Sequence, residues 1–174
     1  NECNTCPPGK YSNEEGNPRS NKCRLCAVDH YSGDSSATTC KACDNGQYQV
    51  EKGATSCDKC GAGEELKGGL GSRTCSVCDE GRFSPTPGSN CSHCPAGWYQ
   101  KGDEFKFCFS CLPGTYGKQQ KMTSCEPCKE NTFTNISSAT SCTACPKGKG
   151  NLGQSSSCGD CPAGTKKNTV TQEC

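Results

Sequence analysis

Cys91-Ser92-His93-Cys94-Pro95-Ala96-Gly97-Trp98-Tyr99 carries the three features that decide the fold: a CxxC pair, a glycine three residues beyond it, and an aromatic ring two residues further on. The arrangement recurs along the whole chain. CxxC pairs begin at Cys3, Cys23, Cys40, Cys57, Cys75, Cys91, Cys108, Cys125, Cys142 and Cys158, and a lone Cys174 stands where an eleventh would start. Successive starts lie 16 to 20 residues apart, most often 17, so residues 1–174 read as one tandem array of about ten short modules. The position after each pair is held by Gly9, Asp29, Gly46, Gly63, Gly81, Gly97, Gly114, Asn131, Gly148 and Gly164. Glycine, aspartate and asparagine are the residues that tolerate a positive φ, which predicts a tight left-handed turn in every module. The ring position is held by Tyr11, Tyr31, Tyr48, Phe83, Tyr99, Tyr116 and Phe133, with Glu65, Gly150 and Lys166 in the remaining modules. A Ser/Thr-rich stretch such as Ser36-Ala37-Thr38-Thr39 precedes the next pair, completing the outline of a short irregular β-hairpin.

Composition explains why cross-links must supply the order. Of 174 residues 21 are cysteine, above the roughly 8–10% that marks a disulfide scaffold. Leu, Ile, Val and Phe together number 15, too few for a sizeable hydrophobic core. Without its cysteines such a chain would not offset a backbone ordering cost of about 1–2 kcal/mol per residue. Persistent disulfides need an oxidising compartment, so the expected location is extracellular or at a cell surface. The net charge of +1, with 19 basic and 18 acidic residues, offers no footprint for nucleic acid. No apolar run approaches the roughly 20 residues of a membrane span, so no membrane insertion is expected. Met122 is the only methionine and no signal peptide is visible, so the chain reads as processed or as a fragment.

Two pairings of the cysteines suit the spacing. The first joins the second cysteine of each pair to the first of the next: Cys6 to Cys23, Cys26 to Cys40, Cys43 to Cys57, Cys60 to Cys75, Cys78 to Cys91, Cys94 to Cys108, Cys111 to Cys125, Cys128 to Cys142, Cys145 to Cys158 and Cys161 to Cys174. It gives Cys174 a partner, leaves Cys3 to a preceding module, and closes loops of roughly 15 residues, each stabilising by about 3 kcal/mol. The rival joins first to first and second to second across modules. Modules this small must stack on their neighbours. If each advances about one 10 Å packing layer, the array is a rod on the order of 100 Å long.

Segments such as Cys94-Pro95-Ala96-Gly97-Trp98-Tyr99 and Cys6-Pro7-Pro8-Gly9-Lys10-Tyr11, each followed by a Ser/Thr-rich stretch and a further CxxC, resemble the cysteine-rich repeats of ephrin-receptor-like ectodomains. They are also similar to the smallest module of tumour necrosis factor receptors. The resemblance covers the whole chain and implies a small disulfide-rich fold, an elongated array of hairpins without notable helix. It places such repeats in receptor ectodomains, adhesive surface proteins and fibre proteins.

Other chemistries fit less well. Paired CxxC motifs also suit zinc, but zinc modules alternate spacer and linker lengths and need four cysteines per site, whereas one uniform period ends here on an odd cysteine. Redox catalysis needs a thiolate at a helix N-terminus, and no helical periodicity is present. His30 and His93 lie in separate modules without ligand spacing, and pairs such as Glu14-Glu15 and Glu64-Glu65 fall in expected loops. The chain therefore reads as non-catalytic, with no cofactor and no metal. Asn135-Ile136-Ser137 and Asn90-Cys91-Ser92 fit the N-glycosylation pattern, and Ser84-Pro85-Thr86-Pro87 leaves room for O-linked sugars. Trp98, Tyr99, Phe105, Phe107 and Phe109 crowd one junction. If residues 104–109 are extended, alternation puts the three phenylalanines on one face, making Trp98, Phe105, Phe107 and Phe109 the candidate partner contact. The expected function is a rod-like spacer or fibre-forming segment of a cell-surface or secreted assembly, with copies of itself or other extracellular chains as partners. The alternatives are a receptor or adhesin ectodomain that binds a protein ligand, and a zinc-binding repeat.

Overall fold

The computed structural model describes residues 5–13 and 22–160. Among these residues there are nine two-stranded antiparallel hairpins and no α-helix. β1 (Lys10–Tyr11) pairs with β2 (Arg24–Leu25), β3 (His30–Tyr31) with β4 (Lys41–Ala42), β5 (Gln47–Tyr48) with β6 (Asp58–Lys59), and β7 (Glu64–Lys67) with β8 (Thr74–Val77). The pattern continues with β9 (Arg82–Phe83) and β10 (Ser92–His93), β11 (Trp98–Tyr99) and β12 (Phe109–Ser110), and β13 (Thr115–Tyr116) and β14 (Glu126–Pro127). β15 (Thr132–Phe133) with β16 (Thr143–Ala144) and β17 (Lys149–Gly150) with β18 (Gly159–Asp160) complete it.

The strands are short because the repeat fixes both of their ends. The left-handed turn residue stands immediately before the first strand, and in most modules the second strand is the two middle residues of the next CxxC. Cysteines three apart on an extended segment project to opposite sides, so a CxxC pair does not close on itself. Its first sulfur closes the module behind and its second opens the module ahead. The bonds are Cys6–Cys23, Cys26–Cys40, Cys43–Cys57, Cys60–Cys75, Cys78–Cys91, Cys94–Cys108, Cys111–Cys125, Cys128–Cys142 and Cys145–Cys158. Cys3, Cys161 and Cys174 lie outside the described residues. Half-cystines also form most of the core: Cys6, Cys26, Cys60, Cys78, Cys94 and Cys111 are at most 1% exposed, and among the described residues the buried apolar side chains besides cysteine are Met122 and Ala139.

By its contacts the chain divides into two compact units, Asn1–Cys78 with Ser84–Cys91 and Asp79–Phe83 with Ser92–Cys174. Inside each unit the modules interlock through their backbones. The N–H at the turn position donates to the following module, as from Gly9 to Ser32 O at 2.7 Å and from Gly97 to Gly117 O at 2.8 Å. The carbonyl of the same residue accepts from the module's closing CxxC, as Gly97 O does from Cys111 N at 2.9 Å. Buried backbone groups are thus paired although regular strand is scarce.

Candidate functional site

A second special turn lies in the polar stretch of six of the described modules. Ser36, Gly53, Gly88, Lys121, Ser138 and Gln154 all have positive φ. Each donates its N–H to the half-cystine carbonyl of the preceding module: Ser36 to Cys6, Gly53 to Cys26, Gly88 to Cys60, Lys121 to Cys94, Ser138 to Cys111 and Gln154 to Cys128, at 2.8–2.9 Å. The carbonyl of the same residue reaches one module further back. Ser138 O lies so close to Gly97 that a Cβ built on Gly97 would overlap it, and Gln154 O stands against Gly114 in the same way. Glycine recurs at these positions for two independent reasons, a φ near +84° and a neighbouring carbonyl that leaves no room for a methyl group.

Asp29 replaces that close approach with its side chain. It is 1% exposed at φ 58°, its Oδ1 accepts from Gln49 N at 3.0 Å, and its Oδ2 accepts from Gly71 N at 2.6 Å and Arg73 N at 3.2 Å. The donors belong to the next module and the one after it. The Arg73 guanidinium in turn donates to Cys43 O, Asp44 O and Gln47 O at 2.9–3.2 Å, so one carboxylate and one guanidinium join three modules. Burial pushes the Asp29 carboxyl up, but hydrogen bonds from Gln49, Arg73 and Gly71 and the Arg73 charge outweigh it and hold the group below the usual carboxylate range.

The residue after the ring position is a staple that sequence reasoning missed. Ser32 Oγ donates to Asp34 O at 3.1 Å, Gln49 Nε2 to Ser56 O at 3.2 Å, Ser84 Oγ to Ser89 O at 3.1 Å and Asn151 Nδ2 to Ser157 O at 3.2 Å. Gln100, fully buried, donates to Glu104 O. The signal was present as a run of small polar residues, Ser12, Ser32, Gln49, Ser84, Gln100, Thr134 and Asn151, one place beyond the rings. Glu65, at a ring position, accepts from Cys91 N at 3.2 Å and ties its module to the half-cystine that closes the next one.

The aromatic junction departs from the expected alternation. Phe105-Lys106 forms a turn, so only Phe109 of the three phenylalanines lies in a strand and residues 104–109 do not present them as one extended face. Phe107 and Phe109 nevertheless meet edge to face at 5.1 Å, 45% and 40% exposed, and Tyr99 packs on Phe109 from the paired strand at 5.7 Å. Phe105 and Trp98 are half-buried and make no ring contact with this cluster. Asn135 and Asn90 are both exposed and outside strands; Ile136 is exposed, whereas Cys91 is buried in its disulfide. His30 Nδ1 lies 3.0 Å from Val28 O, a local contact, and His93 is exposed on β10. Among the described residues no group of three or more His, Cys, Asp or Glu is placed to hold a metal ion, and the sulfurs of the described cysteines are bonded to one another.

Comparison with curated proteins yields no match. The family model described as tyrosine-protein kinase ephrin type A/B receptor-like matches residues 17–60, 81–124 and 114–152. That family is a receptor-like repeat rather than a catalytic one, and with the disulfides it points to an extracellular domain. The matched stretches cover well over half of the chain and run through the same succession of CxxC pairs, left-handed turns and hairpins, so the chain belongs to the ephrin type A/B receptor-like family of cysteine-rich repeats.

Proposed function

We propose that the chain is a structural spacer or fibre-forming segment of an extracellular assembly, with copies of itself or other extracellular chains as partners. The carrying observation is the interlock, in which one turn residue bonds the module before it and packs on the glycine of the module before that. Modules held to two neighbours inside a unit resist bending at the junctions they clasp, which suits a load-bearing or distance-setting role. Electron micrographs of the purified chain are expected to show thin elongated particles or bundles; compact round particles contradict the spacer reading.

The Phe107–Phe109 pair favours a second reading, a surface that binds a protein partner. Exposed rings at a junction are frequent anchors of interfaces. Replacing both with serine is expected to weaken assembly or partner binding roughly 30-fold, the equivalent of a hot spot of about 2 kcal/mol, with the disulfides intact. Normal assembly combined with a lower melting temperature would instead make the rings a brace for their own hairpin. Asn135 is the expected glycan carrier, since Asn135, Ile136 and Ser137 of its acceptor stretch are all exposed and outside strands. Peptide mapping of protein secreted from eukaryotic cells checks it, and an unmodified Asn135 throughout contradicts it.

A further inference from the structure

Asn45-Gly46 is the only Asn-Gly step in the chain. Asn45 is exposed, and Gly46 occupies the left-handed turn of the third module at φ 78°. In seven modules the N–H at this turn position is tied to a carbonyl of the following module, namely from Gly9, Asp29, Gly63, Gly81, Gly97, Gly114 and Asn131. Among the described residues Gly46 N–H makes no backbone hydrogen bond. The one asparagine followed by glycine therefore also precedes a turn amide that lacks the backbone bond made by the seven others.

We propose that Asn45-Gly46 is a site of succinimide formation in the folded protein, through which Asn45 becomes aspartate or isoaspartate. The Gly46 nitrogen, having lost its proton to base, attacks Asn45 Cγ. A C–N bond forms, the bond from Cγ to the side-chain amide nitrogen breaks, and ammonia leaves with the proton. Water then opens the ring at either carbonyl, giving the ordinary aspartyl link or one in which the main chain runs through the former side chain. Nothing is oxidised or reduced. Each product adds a negative charge, and the isoaspartyl product adds a methylene to the backbone beside Gly46. That backbone has no slack, because Gly88 O stands where a Cβ of Gly46 would lie, and Gly88 N is bonded to Cys60 O at 2.8 Å. Conversion thus loosens the contact between the third and fifth modules.

The test is incubation of the intact, oxidised protein at mildly alkaline pH, followed by peptide mapping with fragmentation that separates aspartyl from isoaspartyl, and by hydrogen exchange at Gly88. The expected result is loss of the native Asn45 peptide before any loss at Asn90, Asn131, Asn135 or Asn151, with faster exchange at Gly88 N–H as isoaspartate accumulates. Asn45→Gln should keep both the peptide and the Gly88 protection through the same incubation. The proposal is overturned if Asn45 stays intact in the folded protein while the reduced, unfolded chain converts, or if it converts no faster than the other asparagines. Equal loss of Gly88 protection in Asn45→Gln would sink the link to the junction.

Discussion

Replacing Gly97 with alanine is expected to cost about 3 kcal/mol, the sum of roughly 1–2 for a non-glycine residue held in a left-handed conformation and a similar amount for overpacking. The overlap is with Ser138 O, a backbone atom anchored by its own residue's hydrogen bond to Cys111 O at 2.8 Å, so relief requires a whole turn to move. In a chain of this size that corresponds to a fall in melting temperature of roughly 6–12 °C. Gly102 is the control: its φ is also positive, at 105°, but nothing lies within 4 Å of a Cβ built there. Gly102→Ala should therefore show only the conformational part, and the difference between the two variants measures the contact across modules. Equal losses would mean that Ser138 does not bear on Gly97.

Asp29→Ala is expected to be as damaging, at about 3 kcal/mol, because it strands N–H groups of Gln49, Gly71 and Arg73 and removes the countercharge of Arg73. Its pH dependence has a definite sign. The folded carboxyl lies below its ordinary value of 3.8, so the ionised group's contribution is present above about pH 4 and is lost as pH falls through the lower folded value. Acid unfolding of the unaltered protein should thus be steeper below pH 4 than that of Asp29→Asn, which has no proton to take up. Parallel acid profiles for the two would show that the carboxylate does not hold the three modules together. By contrast, the exposed Lys118–Glu126 pair at 3.0 Å contributes little.

The module was legible from the chain alone because its determinants are local. The CxxC period, the turn residue and the ring lie within nine residues of one another, and the apolar deficit leaves disulfides as the source of order. Contacts between modules were not legible. Gly97 meets Ser138 some forty positions along the chain, and the clasp residues Ser36, Gly53, Gly88, Lys121, Ser138 and Gln154 share a backbone conformation but no side-chain type. Asp29 was readable as a residue that tolerates positive φ, whereas its carboxylate takes donors 20 to 44 residues away. At the aromatic junction, alternation failed because the turn at Phe105-Lys106 interrupts the strand that it presupposes, and cross-strand pairing with Tyr99 decides where Phe109 lies.

The turns, hairpins and clasps all depend on each module being closed by its own cystine. Proteolysis of the oxidised protein under conditions that block thiol exchange, followed by mass spectrometry of the linked peptides, reads that directly. The expected peptides join Cys26 to Cys40 and Cys43 to Cys57, and likewise along the chain to Cys145 with Cys158. A peptide joining Cys40 to Cys57, or Cys43 to Cys60, would contradict this pairing, since the staples would then cross from module to module.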